Sequence, residues 1–353
     1  MQGLYSKKYM EDTYYVASWY VGEGEGLTKI VYDKENNILI ENVRVTDTKR
    51  TSFFARNNDI LYVLTEGMIS NPDTSVVTSF KMTDEGLSYI DCSDNFSSAC
   101  PHISLSSDKK HAYICGYYAG ELYMLDTDEE GHLSNLRSVY KNEGSSINPR
   151  RQTSSHLHFS MLTPDEEYLC SCDLGTDEIL IFSVDPLTSE LTKVSSVKTP
   201  LGYGPRHMVF SKDGQYAYVL CEMSYHLLVF SYNGHGVLTL VNDIDLSVEA
   251  PEDCRQCSAI KLSEDGSMLF TGDRGKGFNN IDAIDLSDPS NPTKIASLTG
   301  CNSPRDFILL DNGYIAICNQ DGNNIQFVQF KDGHFIETGL IENVKMPVSI
   351  IKY

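Results

Sequence analysis

Positive charge is scarce in this sequence: 28 Lys and Arg stand against 49 Asp and Glu over 353 residues, a formal charge of −21. Such a surface repels nucleic acid and anionic membranes, so neither is expected as a partner, and an anionic ligand must be captured by locally placed cations. Long apolar runs are missing too. From Met1 onward the chain is polar, with no apolar core of leader length and no stretch able to span a bilayer. The ten Cys are therefore read as reduced thiols, and the protein is expected to be cytoplasmic. Cys254 and Cys257 form one CxxC, but nothing completes a four-ligand zinc set, so no metal site is expected. Cys170 and Cys172, at i and i+2 of a strand-like run, belong on one face as small apolar residues. Sustained helical periodicity is absent, and so is a GxSxG elbow, which disfavours a serine acyl-enzyme.

What the chain does have is an internal repeat. PHISLSSDKKHAYIC from Pro101, PRHMVFSKDGQYAYV from Pro205, CSAIKLSEDGSMLFT from Cys257 and PRDFILLDNGYIAIC from Pro304 are copies of one unit. Weaker copies start at Thr51 and His156, so successive starts lie about 50 residues apart. Each copy reads as an apolar strand, a turn with Asp, Gly or Asn, and a strand rich in Tyr, Val and Ile. Two further apolar runs follow, such as EILIFSV and LTKVSSV. Four antiparallel strands in a unit of this length predict a propeller blade. PVSIIKY, at the C-terminus, reads as the first strand of a seventh copy, and TYYVASW, near the N-terminus, as its second. The expectation is an all-β, seven-bladed β-propeller of four-stranded antiparallel blades, a single domain over residues 1–353, closed by pairing of its N- and C-terminal strands.

Strand polarity then selects residues. The first and second strands of a blade are antiparallel, so the start of one and the end of the other meet at the same rim of the channel. Strand starts give His102, His156, His158, Arg206, His207 and Arg305; strand ends give Trp19, Glu66, Tyr117, Asp173, Glu222, Arg274 and Gln320. Polar side chains at equivalent positions around one opening are poorly explained by core packing. A mutually satisfied channel lining is the alternative. His207 has the further alternative of pointing into the sheet, Asp173 of organising its loop through Asx-type bonds, and Trp19 of ordinary core packing.

SHLHFSMLTPDEEYLCSCDLGTDEILIF, GYGPRHMVFSKDGQYAYVLCE and NSPRDFILLDNGYIAICNQDGNNI resemble the lactonase family of seven-bladed propellers, which includes bacterial 6-phosphogluconolactonases and fungal carboxymuconate-lactonizing enzymes. The most specific piece is GPRH with Glu222 following Arg206. The resemblance implies that His158, Arg206, Glu222 and Arg274 form the active site, all four already in the rim set. It implies hydrolysis of a small anionic lactone, such as 6-phosphogluconolactone, by water and without metal or organic cofactor. Glu222 or His158 would be the base, and Arg206 and Arg274 would hold the substrate's phosphate or carboxylate and the oxyanion. His156, His207, Asp173, Arg305, His102, Trp19 and Glu66 would complete a substrate site. A lactone-forming cycloisomerase and a non-enzymatic binding scaffold are the alternatives, and the protein is expected as a monomer or homodimer. Two departures stand out. Ala259, Ile260 and Lys261 replace an acid, Ile and His, and KGFNNIDAIDL replaces a shorter, His-bearing link.

Overall fold

The computed structural model describes residues 11–20, 22, 26–48, 50–68, 71–247, 255–311 and 313–353. They contain twenty-eight strands, numbered in chain order, which form seven four-stranded antiparallel sheets. Each sheet is one copy of the repeat. The first strands are β4 (Thr51–Asn57), β8 (His102–Leu105), β12 (Leu157–Leu162), β16 (Pro205–Phe210), β20 (Cys257–Leu262) and β24 (Pro304–Leu309). Each contacts the first strand of the next blade, and β28 (Pro347–Lys352) joins β24 back to β4, so the seven close a ring around a channel.

β28 is the expected seventh copy. It pairs antiparallel with β1 (Glu11–Ser18), from Tyr14 opposite Lys352 to Ser18 opposite Pro347. The sheet continues through β2 (Thr28–Asp33) and β3 (Ile38–Arg44), so the C-terminal strand completes a blade begun at the other end of the chain. This pairing leaves no open seam for a foreign strand to join.

Burial explains the composition of each strand. The second strands, β5 (Ile60–Met68), β9 (His111–Gly116), β13 (Tyr168–Asp173), β17 (Tyr216–Cys221), β21 (Met268–Gly275) and β25 (Tyr314–Asn319), are covered on both faces by neighbouring blades. A strand buried on both faces reads as a continuous apolar run, as YAYVLC does in β17. Outer strands such as β15 (Leu191–Lys198) are mostly exposed, and polar. The core is divided into seven apolar clusters, one at each junction between adjacent blades. Cys170 and Cys172 both join the cluster containing Met208 and Val219, where burial pushes their thiols up. The nine described cysteines are free, and Cys254 lies outside the described residues. Among the described residues no helix is long and apolar enough to cross a membrane.

Candidate active site

Two backbone devices build the mouth of the channel. The first is a β-bulge near the start of the first strand. In β12, Leu157 faces Asp173 and Phe159 faces Cys172, so His158 is left without a partner. The same break leaves Ser52, Arg206, Arg305 and Val348 unpaired in β4, β16, β24 and β28. A bulge re-aims a side chain, and all five of these line a small cavity in the channel. The second device is a hydrogen bond from the residue at the second strand's end back to the carbonyl leading into the first strand. Trp19, Glu66, Tyr117, Leu174, Glu222, Arg274 and Gln320 each donate this N–H, one per blade.

That pattern corrects one expectation. In the fourth blade Leu174 holds the rim position, and Asp173 is one residue short of it, which turns its side chain away. Asp173 is fully buried; its carboxylate accepts from His156 N at 2.7 Å, Gly175 N at 2.9 Å, Ser155 Oγ at 2.6 Å and Asn142 Nδ2 at 2.7 Å. It organises its own loop and lines neither the mouth of the channel nor the cavity beneath it. Asp173→Ala is expected to cost about 3 kcal/mol or more, because several buried donors lose their acceptor; thermal or denaturant unfolding measures it.

His102 is the second correction. β8 pairs with β9 with no register break, so His102 stays in the ladder opposite Cys115. Its ring packs between Phe53 at 4.5 Å and Phe159 at 4.1 Å, and its Nδ1 accepts from Ser160 N at 3.3 Å. Burial, then the charges of Lys261 and Arg206, push it down to about 3, so it is a neutral ring below the mouth. His207 lines the small cavity rather than entering the sheet. Arg206 Nη1 lies 3.0 Å from its Nε2, which must therefore accept.

The mouth itself is a pocket of about 360 Å³. Trp19, Glu66, His156, His158, Glu222, Arg274 and Arg305 line it, as does Tyr117, whose ring lies parallel to that of His156 at 4.5 Å. Beneath it the small cavity, about 20 Å³ and thus sized for one water, shares Trp19, Glu66, His158 and Arg305. The side chain of Gln320 lines neither.

Glu222 is the electrostatic centre. It is 2% exposed and bonds to three guanidinium groups: Arg151 Nη2 at 2.6 Å, Arg206 Nε at 2.9 Å and Arg274 Nη2 at 3.5 Å. Burial alone would raise its carboxyl, but Arg274, Arg151 and Arg206 overcome burial and hold it well below the ordinary carboxylate range. A carboxylate so held is an anchor for cations, and the base role expected for Glu222 is withdrawn. Arg206 is likewise committed, to Glu222, His207 and the Ser258 carbonyl, and it lies in the channel wall rather than the pocket wall. It holds Glu222 from below the mouth pocket.

Other groups are uncommitted. Arg274 Nε and His158 Nδ1 are buried without a hydrogen-bond partner among the described residues. Burial, then the charge of Arg206, holds the His158 imidazole well below its ordinary value, so it is neutral. Arg305 lies 4.3 Å over the Trp19 ring, and burial, then Arg274 and Arg206, bring it down to about 9. Glu66 has no side-chain hydrogen bond or ion pair among the described residues. Burial pushes its carboxyl up to about 7, against the pull of Arg305, Arg50 and Arg206.

Sequence reasoning missed Arg150 and Arg151, which line the pocket from the loop between β11 (Leu133–Lys141) and β12. The only signal was the paired Arg in KNEGSSINPRR, a segment outside the repeat. Neither departure lines the mouth pocket. Lys261 pairs with Asp306 at 3.0 Å, and Ala259 packs between blades with Phe307. Gly277, Phe278 and Asn279 of the KGFNN segment border a separate pocket. Asp128, Glu130 and His132 are the one grouping among the described residues with metal-ligand spacing, and all three are exposed.

A family model described as Lactonase, 7-bladed beta-propeller matches residues 13–351. An uncharacterized protein of Staphylococcus saprophyticus is 25% identical over 324 residues, covering 89% of this chain and 90% of its own. One from Staphylococcus aureus strain USA300 is 25% identical over 340 residues, covering 94% and 96%. Among solved structures, the periplasmic gluconolactonase of Pseudomonas aeruginosa has a TM-score of 0.88 at 24% identity, over 97% of this chain and 99% of that one. A Bacteroides fragilis protein provisionally named a 6-phosphogluconolactonase has a TM-score of 0.86 at 23% identity, over 98% of each chain.

Proposed function

The chain belongs to the lactonase family of seven-bladed β-propellers, and from that premise we propose that its mouth pocket hydrolyses an anionic sugar lactone, with 6-phosphogluconolactone as substrate. The observation that carries this reading is the charge of the pocket wall. Arg150, Arg151, Arg274 and Arg305 line it against only Glu66 and Glu222, in a protein whose net charge is −21. A local excess of cations on an acidic protein suits capture of a small anion.

Hydrolysis needs an activated water, a cradle for the carbonyl oxygen as it gains charge, and a proton for the departing ring oxygen. In this reading the Glu66 carboxylate takes a proton from water as the new C–O bond forms. Arg274 and Arg305 hold the oxyanion. When the ring C–O bond breaks, Glu66 returns the proton to the ring oxygen, and the new acid gives its own to solvent. His158, neutral and with Nδ1 unpartnered among the described residues, orients the water. Because Glu66 acts as the carboxylate and Arg305 as a cation, the enzymatic rate is expected to rise with pH through about 7 and to fall again above about 9, after subtraction of spontaneous hydrolysis.

The test is turnover by purified protein of 6-phosphogluconolactone, read as release of 6-phosphogluconate. Consumption well above the spontaneous rate is expected. No consumption, together with loss of a muconate's conjugated-diene absorbance, would replace hydrolysis by lactone formation; no turnover of either would leave a binding scaffold.

A further inference from the structure

We propose that Arg150 and Arg151 form a phosphate-gripping arm, which selects substrates carrying a phosphate remote from the reacting carbonyl. The inference rests on the function proposed above, but its support lies in a loop outside the repeat. Loops that carry ligand-binding residues are useful only when something fixes them, and this one is fixed. Asn148 Oδ1 accepts from Arg150 N at 3.0 Å and from Arg151 N at 3.1 Å. Gln152, fully buried, accepts from Asn148 N through Oε1 at 3.1 Å and donates from Nε2 to the Leu174 carbonyl at 2.9 Å. The turn is thereby fastened to the rim of the fourth blade, with both arginines in the wall of the mouth pocket.

Their surroundings differ in a way that assigns the work. Arg151 bridges Glu222 at 2.6 Å and the Tyr117 hydroxyl at 3.3 Å, while its side chain stays 39% exposed. Arg150 is exposed and makes no side-chain hydrogen bond or ion pair among the described residues. A guanidinium fork matches a phosphate's oxygens two at a time. Four guanidinium groups against two carboxyls give the wall an excess of two positive charges, equal and opposite to a phosphate dianion. Arg305 acts on Glu66 and Arg274 bonds Glu222, both more enclosed than the exposed Arg150, so a lactone ring placed between Arg274 and Arg305 directs its far end toward Arg150.

The experiment compares equilibrium binding of 6-phosphogluconate and gluconate by calorimetry, with lactone turnover recorded on the same parent preparation. The two ligands share a carboxylate and differ by the phosphate. The parent is expected to bind 6-phosphogluconate more tightly by at least about tenfold; Arg150→Ala should lose most of that preference and Arg150→Ala/Arg151→Ala all of it, with 6-phosphogluconate weakened in Arg150→Ala by several-fold more than gluconate. Equal binding of the two ligands by the parent, or an unaltered preference in both variants, would overturn the arm. Equal weakening of both ligands in Arg150→Ala would also overturn it, since that marks a general loss of pocket structure. A parent that prefers the phosphorylated ligand yet turns over no lactone would refute the reaction and leave the arm standing.

Discussion

Replacing Glu66 by Gln is expected to lower kcat for lactone hydrolysis by about a hundredfold to ten-thousandfold, the range over which a positioned proton-transfer group acts. The substitution keeps the shape of the side chain and removes only its ability to take a proton. Because the Glu66 carboxyl makes no hydrogen bond or ion pair among the described residues and burial disfavours its charged form, the variant should melt at or above the parent's temperature at neutral pH. The rise of rate through about pH 7 should vanish with it. A variant that retains the parent's pH dependence would remove Glu66 from the chemistry.

Glu222 behaves in the opposite way: its substitution strikes stability before it strikes rate. Glu222→Ala leaves Arg206 buried and Arg274 nearly so, with no ion-pair partner among the described residues. Removing one partner from a buried ion network of this kind costs about 3–5 kcal/mol, measurable by denaturant unfolding. The sign of the pH effect follows from the lowered pKa. A carboxyl held below its unfolded value of about 4.3 contributes stability above that pH and loses it as the solution is made more acid. The parent's stability should therefore fall more steeply than that of Glu222→Gln as pH drops below about 4.

The contrast between these two carboxyls marks the limit of what the sequence discloses. The seven repeats, the circular closure and the rim were legible because strand polarity and a turn signal recur in every copy. Most rim positions follow from that regularity alone. Asp173 was misplaced because a shift of one residue in a strand reverses the side chain, and DLGTDEI carries no mark of where the strand ends. His102 was misplaced because its strand lacks the bulge that turns His158, Arg206 and Arg305 inward, and a bulge leaves no trace in a single sequence. The division of labour between Glu66 and Glu222 was invisible for a different reason. Both are strand-end glutamates at equivalent places, and only the three guanidinium groups gathered around one of them make it an anchor. One of those three, Arg151, arrives from a loop that no repeat predicts.

The central claim is that a small anion binds in the mouth of the channel, and Trp19, the only tryptophan in the chain, reports on that place directly. Its ring lies under the Arg305 guanidinium, so an anion that engages Arg305 alters the ring's surroundings. Titration of the parent with 6-phosphogluconate should change the tryptophan emission saturably, with an affinity weakened by added salt, and the change should be lost in Arg274→Ala. An emission spectrum that stays fixed to millimolar ligand would contradict the account.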